Sequence, residues 1–235
     1  MMPAFFISPD LTKFGSTLIR LYNVIMKYFV VSLSVLLLSA SCASKTPNGY
    51  IFFLHNRFLE EHTTRESHPE YGVAAYSEII QEFEKENFAV ISEKRNGDVD
   101  VKQYAMKVKK QIDSLLDLGV APKQITVVGT SKGGYIAQYV STFANNPNLN
   151  FVFIACYTDA DLQSLPDINF CGNILTIYEK SDPIGRSAVR RKEKSTCTIK
   201  HFKEIELNTG LKHGFLFKPL KEWIEPCIAW ANNHY

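Results

Sequence analysis

The most informative stretch of this sequence is Ile125-Thr126-Val127-Val128-Gly129-Thr130-Ser131-Lys132-Gly133-Gly134. Its apolar first half predicts a strand, and the run that follows it predicts a helix. Between them, the residues fit G-x-S-x-G, which is typical of a tight strand-to-helix turn that exposes a serine hydroxyl. Glycines on both sides of Ser131 remove the Cβ atoms that would clash in such a turn. We therefore predict that Ser131 is a nucleophile at the end of a strand.

A glycine-rich turn between a strand and a helix can instead bind phosphate. The sequence lacks the P-loop pattern G-x-x-x-x-G-K-[ST], and no G-x-G-x-x-G follows a predicted strand. Both patterns that would favour a nucleotide are therefore missing, and the serine interpretation is preferred.

On both sides of this turn, short apolar runs alternate with longer amphipathic ones. The predicted strands cover residues 50–54, 88–91, 124–129, 151–157, 173–178 and 202–207, and the predicted helices cover 71–86, 101–116, 134–143, 184–194 and 217–233. Strands separated by helices imply right-handed βαβ units. The sequence thus predicts the α/β class: a mostly parallel six-stranded sheet with helices on both faces.

Ligands of such sheets bind beyond the carboxyl ends of the strands, so the residues that follow each strand are the candidates for chemistry. A nucleophilic serine needs a base, and the base needs an acid to orient it. His213 lies in the loop after the last predicted strand, and Asp182 lies just past the preceding strand. We predict that His213 is the base and Asp182 the acid.

Three other carboxylates lie near the predicted strand ends. Asp159 and Asp161 follow the strand before that of Asp182 and are the reserve candidates for the acid. Glu179 comes too early, close to the end of its strand, to reach the base.

The tight turn at Ser131, which we call the elbow, is followed in chain order by Asp182 and His213 at successive strand ends. This arrangement resembles the α/β-hydrolase superfamily over roughly residues 49–233. The outline is similar to that of small bacterial hydrolases without a large lid, such as dienelactone-hydrolase-like proteins and small carboxylesterases. The resemblance implies a serine hydrolase that cleaves an ester or thioester through an acyl-enzyme intermediate. It implies no metal and no organic cofactor.

Two alternatives to the esterase remain at this point. The segment from Ser131 to Gly134 is also similar to that of some acyl-thioesterases and exported serine peptidases, so a peptidase on the same fold is one alternative. A non-catalytic binding protein of the same fold is the other, because a fold does not establish an activity.

The resemblance also implies an oxyanion hole made by two backbone N–H groups. One belongs to Lys132, which follows the nucleophile. The other comes from the loop after the first strand, where Asn56 is the expected donor and Arg57 the alternative. Family members often carry His-Gly where this chain has His55-Asn56, and Asn tolerates positive φ. His55 is expected to hydrogen-bond within this loop.

Side chains on these loops are candidates for contacting the substrate. The weak candidates are His55, Arg57 and Tyr71, and the segment 62–71 could line one wall of the cleft. Five cations are expected on carboxyl-end loops: Arg57, Lys94, Arg95, Lys132 and Arg186. They would either favour an anionic substrate or pair at the surface with Glu60, Glu61 or Asp98.

The N-terminal part of the sequence predicts export. Met26-Lys27, an apolar run over 28–38 and the small residues up to Ala43 form a signal peptide over 26–43. The run is too short to span a membrane. Cys42 resembles the lipidated cysteine of bacterial lipoproteins; cleavage after Ala43 would instead release a soluble periplasmic protein, and an uncleaved or cytoplasmic chain is the third alternative. Residues 1–25 carry no domain-like pattern and are interpreted as a mis-called upstream extension, which leaves 44–235 as the domain.

Composition adds few constraints on partners. A formal charge of +2 gives no indication of nucleic acid or of an anionic surface, so a small-molecule acyl substrate is the expected partner, and the oligomeric state stays open. The cysteines of the domain lack metal-ligand spacing, and free buried thiols are expected. The superfamily fold would place Cys171 and Cys197 before neighbouring strands, so a disulfide between them is the alternative in an exported protein.

Overall fold

A six-stranded sheet runs through residues 46–235, the part of the chain that the computed structural model describes. The strands are β1 (Gly49–Leu54), β2 (Ser67–His68), β3 (Gly72–Val73), β4 (Phe88–Ile91), β5 (Ile125–Thr130), β6 (Asn150–Ile154), β7 (Asn173–Glu179) and β8 (Phe202–Leu207). The main sheet has the order β4-β1-β5-β6-β7-β8 and every pair in it is parallel. The strands β2 and β3 form a separate antiparallel hairpin.

Helices connect these strands and cover both faces of the sheet. They are α1 (Phe58–Glu61), α2 (Tyr76–Lys85), α3 (Val101–Asp117), α4 (Lys132–Ala144), α5 (Asp161–Ser164), α6 (Val189–Lys194) and α7 (Lys221–Ala231), with 3-10 helices at Pro122–Gln124 and Lys212–Phe217. The start of α3 is fixed by Asp100, whose carboxylate accepts a hydrogen bond from the Gln103 N–H at 2.8 Å.

The core lies in two layers, one on each face of the sheet. Apolar side chains of α2 and α7, including Phe83 and Trp223, pack on one face. Apolar side chains of α3 and α4, including Ile112 and Ile136, pack on the other. Every residue of β5 is buried, as expected for a central parallel strand covered on both sides. The sheet therefore holds the end of β5 firmly in place.

The predicted architecture is confirmed: six main-sheet strands, parallel pairing and helices on both faces. Three helix starts were predicted too early. The helix predicted from residue 71 begins at Tyr76, because Gly72–Val73 pairs with Ser67–His68 instead. The closing helix begins at Lys221, after a 3-10 turn.

The stretch predicted to be helical from residue 184 becomes helical only at Val189. Before that point, the Ile184 N–H donates to the Asp182 carboxylate and the Arg186 N–H to the Tyr157 carbonyl. These bonds occupy backbone donors that a helix would have used.

A disulfide joins Cys171 to Cys197, the alternative that the superfamily fold suggested, and Cys156 and Cys227 are free and buried. The disulfide lies in the segments that precede β7 and β8, at the amino-terminal ends of these strands. The predicted signal peptide over 26–43, with Cys42, and the extension over 1–25 lie outside the described residues. Within residues 46–235, each helix is too short or too polar to traverse a bilayer.

Candidate active site

Ser131 occupies a strained turn between β5 and α4. Its φ of 51° and ψ of −119° lie outside the regions that non-glycine residues favour. The turn is held by its N–H, which donates to the Ile154 carbonyl of β6 at 2.9 Å. A Cβ atom at Gly133 would lie 2.0 Å from the Leu54 carbonyl oxygen, so the loop after β1 packs directly against the elbow.

His213 and Asp182 meet Ser131 in one hydrogen-bonded chain. The Nε2 atom of His213 lies 2.9 Å from Ser131 Oγ, and its Nδ1 atom lies 2.6 Å from Asp182 Oδ2. The Asp182 side chain is fully buried, and its Oδ1 accepts the Ile184 N–H at 3.0 Å. The structure thus brings together the three residues predicted as nucleophile, base and acid.

The chemistry of these contacts sets the proton on the imidazole. An ionised carboxylate can only accept hydrogen bonds, so Nδ1 of His213 donates to Asp182. In the neutral ring this leaves a lone pair on Nε2, which faces the hydroxyl of Ser131. The arrangement can therefore remove the serine proton as the hydroxyl attacks a carbonyl.

The two reserve acids have other partners. Asp159 forms an exposed ion pair with Arg190 at 3.0 Å. Asp161 is buried and accepts from the Tyr135 hydroxyl at 2.8 Å and from the Thr158 N–H at 2.7 Å. Neither carboxylate is brought to His213.

Glu179 is buried behind the loops that carry Asp182 and His213. It accepts from the Ser181 N–H at 2.6 Å, from the Thr209 N–H at 2.9 Å and from the Gly210 N–H at 3.1 Å. The Ser181 hydroxyl donates to it as well. Burial alone would raise the pKa of Glu179, but these hydrogen bonds lower it below its usual value, so the group is ionised at neutral pH.

Two backbone N–H groups, those of Lys132 and Asn56, have no acceptor within residues 46–235. The Lys132 N–H is the first of a helix, where no intrahelical partner exists, and it points to no other backbone acceptor in residues 46–235. The Asn56 N–H is likewise unbonded within that range, while the Asn56 side-chain oxygen accepts the Leu59 N–H at 3.3 Å. Neither N–H group predicted as an oxyanion donor therefore has a protein acceptor among residues 46–235.

The Lys132 side chain lies in a network of charges that matches the pairing alternative in its partners but not in its setting, because Glu60 and Arg95 are buried and not at the surface. Its Nζ lies 2.6 Å from the Glu60 carboxylate and 2.6 Å from that of Asp98. The other oxygen of Glu60 accepts from Arg95 Nε at 2.6 Å, and both side chains of that pair are fully buried. Glu60 thereby links the elbow to the loop after β4. The two pairs of Glu60 span 35 and 72 residues, so no local pattern could indicate that they are buried.

His55 is part of the same network. Its Nδ1 donates to the Asn56 carbonyl at 2.7 Å, and its Nε2 accepts the Arg95 N–H at 2.8 Å. Burial, followed by the charge of Arg95, lowers the pKa of His55 to about 3, so the ring is neutral. Only 1% of His55 is exposed, which corrects its assignment as a substrate contact. It hydrogen-bonds within the loop, as expected from the sequence.

Tyr71 lies beside the loop of His213. A Cβ atom at Gly214 would lie 2.6 Å from the Tyr71 ring, and that ring stacks on His68 with centroids 4.4 Å apart. Lys212 forms an ion pair with Glu70 at 3.0 Å. The β2–β3 hairpin therefore packs beside the loop of His213, and the lining of the cleft by segment 62–71 stays a prediction.

The remaining cations have local partners. Arg57 pairs with Glu61 at 2.7 Å in an exposed contact, and Lys94 donates to the Asn96 side chain at 2.7 Å. Arg186 donates to the backbone carbonyls of Asp182 and Gly185. Of these three cations, Arg57 has a partner that the pairing alternative named, whereas Lys94 and Arg186 bond to neutral groups.

An open groove of about 630 Å³ begins at Lys132 and runs along α4. Its other lining residues are Asp98, Val99, Asp100, Val101, Lys102, Tyr135, Tyr139 and Leu165. A second recess, of about 250 Å³, is lined by residues that include Tyr71 and Gly214. Among the described residues, no group of three or more His, Cys, Asp or Glu side chains is arranged to hold a metal ion.

No family model matches this chain, and no curated protein matches it in sequence. Solved structures do resemble it. A CIB-like hydrolase from Thermoplasma acidophilum has a TM-score of 0.53 at 15% identity, over 81% of this chain and 89% of its own. SOBER1 of Arabidopsis thaliana has a TM-score of 0.50 at 16% identity, over 79% and 98%. MGS-M1, an α/β hydrolase enzyme from a Medee basin deep-sea metagenome library, has a TM-score of 0.50 at 11% identity, over 83% and 87%.

These likenesses cover most of each chain and concern the backbone. The chain therefore has the α/β-hydrolase fold, and the expected resemblance is confirmed at that level. At such identities, activity has to be argued from the site itself.

Proposed function

We propose that this protein is a serine hydrolase that cleaves a carboxylic ester or thioester. One observation carries the proposal: the hydrogen-bonded chain from Asp182 through His213 to Ser131, at 2.6 and 2.9 Å. It is supported by the strained turn at Ser131 and by the free N–H groups of Lys132 and Asn56.

In the proposed reaction, Ser131 Oγ attacks the substrate carbonyl carbon while His213 Nε2 takes the hydroxyl proton. The carbonyl oxygen becomes an oxyanion that accepts from the N–H groups of Lys132 and Asn56. The bond to the leaving group then breaks, and His213 gives its proton to the departing alcohol or thiol. Water, deprotonated by His213, attacks the acyl-enzyme, and the released Ser131 takes the proton back.

A peptidase would use the same groups, because this machinery does not specify the acyl group. A non-catalytic binding protein is the second candidate, and the assembled triad argues against it because recognition alone needs no hydrogen-bonded Ser, His and Asp. No cofactor takes part in the proposed steps.

We propose further that the protein is exported, either free in the periplasm or anchored through a lipid on Cys42, and that it acts on a small acyl substrate. The signal-like sequence over 26–43 supports export. The disulfide between Cys171 and Cys197 also supports it, since disulfides persist in oxidising compartments.

The deciding experiment is labelling with a fluorophosphonate, which reacts only with an activated serine, followed by a panel of short-chain p-nitrophenyl esters and thioesters. Ser131→Ala and His213→Ala should abolish labelling and lower kcat by roughly 10³-fold or more. Ser164→Ala and His234→Ala, at exposed positions, are the matched controls and should keep both.

Labelling that survives Ser131→Ala would assign the reactive serine elsewhere. A well-folded protein that does not label at all would overturn the hydrolase proposal and favour the binding protein.

A further inference from the structure

Glu179 lies at the end of β7, fully enclosed, and receives four hydrogen bonds from two different loops. We propose that Glu179 is a positioning residue that fixes the geometry between Asp182 and His213. The inference rests on the proposed function, because it concerns the acid and the base of that site.

Each carboxylate oxygen of Glu179 accepts hydrogen bonds from one loop. Oε2 accepts the N–H and the hydroxyl of Ser181, next to Asp182 in the chain. Oε1 accepts the N–H groups of Thr209 and Gly210, in the loop that leads to His213. The carboxylate thus joins the loop of the acid to the loop of the base.

A second bond closes this connection. The Ser181 hydroxyl, which donates to Glu179, also accepts the Lys212 N–H at 3.1 Å. Lys212 itself has a φ of 49°, a conformation that needs support in a non-glycine residue. Because Lys212 precedes His213 directly, its support sets where the imidazole lies.

Only an ionised carboxylate suits this position. Four donors converge on the two oxygens, and a carboxylate offers about four lone-pair sites and no proton of its own. A glutamine would turn its NH₂ group toward one pair of donors and leave them without an acceptor. One of the two loops would then move, and a displacement of about 1 Å at a reacting group can cost roughly 10²-fold in rate.

The test compares Glu179→Gln with the parent enzyme in the full chain, using a p-nitrophenyl ester that the parent hydrolyses. Glu179→Gln should lower kcat by roughly 10²-fold and change KM by less than about 3-fold, because binding does not need the base. The proton between His213 and Asp182, observed by NMR as a far-downfield signal, should broaden or shift. A purely structural role would not move that signal.

Ser181→Ala is the second variant, and it decides the matter if Glu179→Gln does not fold. It removes one donor to Glu179 and the acceptor for Lys212, so we expect a smaller loss of kcat with the same change in the NMR signal. Ser141→Ala is its matched control: that buried serine bonds the backbone of Cys171, away from the triad. It should lower Tm and leave both kcat and the signal unchanged.

Fluorophosphonate labelling of the parent separates the two proposals. A parent that does not label at Ser131 would overturn the proposed function. A parent that labels, with Glu179→Gln and Ser181→Ala retaining full kcat and the parental signal, would overturn the positioning role alone.

Discussion

Two histidines of this site have opposite roles, and the partner of each ring nitrogen accounts for the difference. His213 has a carboxylate on one nitrogen and a hydroxyl on the other, so it can gain and lose a proton during a reaction. His55 donates to one backbone group and accepts from another, and its neutral form is enclosed beside Arg95. Protonating His55 would break the bond from the Arg95 N–H and place two positive charges together.

The pKa of His55 therefore predicts a dependence of stability on pH. Its pKa is about 3 in the folded protein against 6.5 for an unperturbed histidine, so the unfolded chain binds the extra proton between these values. The stability that neutral His55 contributes is complete above pH 6.5 and is lost as the pH falls, by at most about 1.4 kcal/mol per pH unit.

Urea unfolding between pH 7 and pH 4.5 measures the slope of the unfolding free energy against pH. His55→Gln should flatten it, whereas His201→Gln, at an exposed histidine, should preserve it. An unchanged slope in His55→Gln would show that other groups cause the acid sensitivity.

At the scale of elements, the first turn of α4 and the loop after β1 touch through their backbones. Gly133 permits this approach, since any side chain there would enter the Leu54 and His55 carbonyls, with a Cβ at 2.0 and 2.5 Å. Helix α1, which follows that loop, is joined to α4 by the ion pair between Glu60 and Lys132. Lys132 and Asn56, whose N–H groups we propose as oxyanion donors, belong to these elements, so the separation of the two groups depends on this contact.

We predict that Gly133→Ala separates the two elements. Overpacking of this kind costs about 1–3 kcal/mol, and here backbone atoms, which cannot swing aside, oppose the new methyl group. Fluorophosphonate labelling should become at least about 10-fold slower as the oxyanion hole opens. Gly119→Ala is the control: its φ of 86° makes alanine unfavourable there and should lower stability, but open space surrounds it and labelling should stay at the parental rate. Equal labelling in both variants would contradict the prediction.

The elements were predictable where the signal is local. The spacing of apolar residues and the placement of glycines indicated the six strands of the main sheet. The positions that follow three of these strands indicated Ser131, Asp182 and His213, which the structure brings into contact. The short hairpin that delays α2 escaped prediction, because a pairing of two residues per strand leaves no periodic pattern.

The charged side chains could not be predicted in the same way. Glu60 meets Arg95 and Lys132 across 35 and 72 residues, and Glu179 meets the loop of the base across 30. Such contacts depend on tertiary packing, and their sequence neighbourhoods look like any solvated surface.

At the scale of the whole molecule, the disulfide lies at the amino-terminal ends of the strands and the triad lies at their carboxyl ends. The bond between Cys171 and Cys197 closes a loop with a sequence separation of 26. Cross-linking a loop of this length stabilises a protein by roughly 3 kcal/mol through the unfolded state.

We predict that the double variant Cys171→Ala/Cys197→Ser lowers Tm by roughly 6–12 °C, taking 2–4 °C per kcal/mol for a domain of this size. Its kcat at 25 °C should match the parent, because neither cysteine contacts the site. A reductant should lower the Tm of the parent and leave the double variant unchanged. A parental Tm that does not respond to reductant would show that the bond contributes nothing.

The position of β8 has a consequence for how the molecule fluctuates. Ser131 follows β5, which is paired on both sides, whereas His213 follows β8, an edge strand paired only with β7 within the described chain. Local opening draws on the least protected elements, and most of β8 is only partly buried. If β8 separated transiently from β7, His213 would leave Ser131 while the turn at Ser131 and the rest of the sheet stayed folded. The molecule would pass through short-lived, nearly native states that are silent in catalysis, at temperatures well below those that melt the sheet.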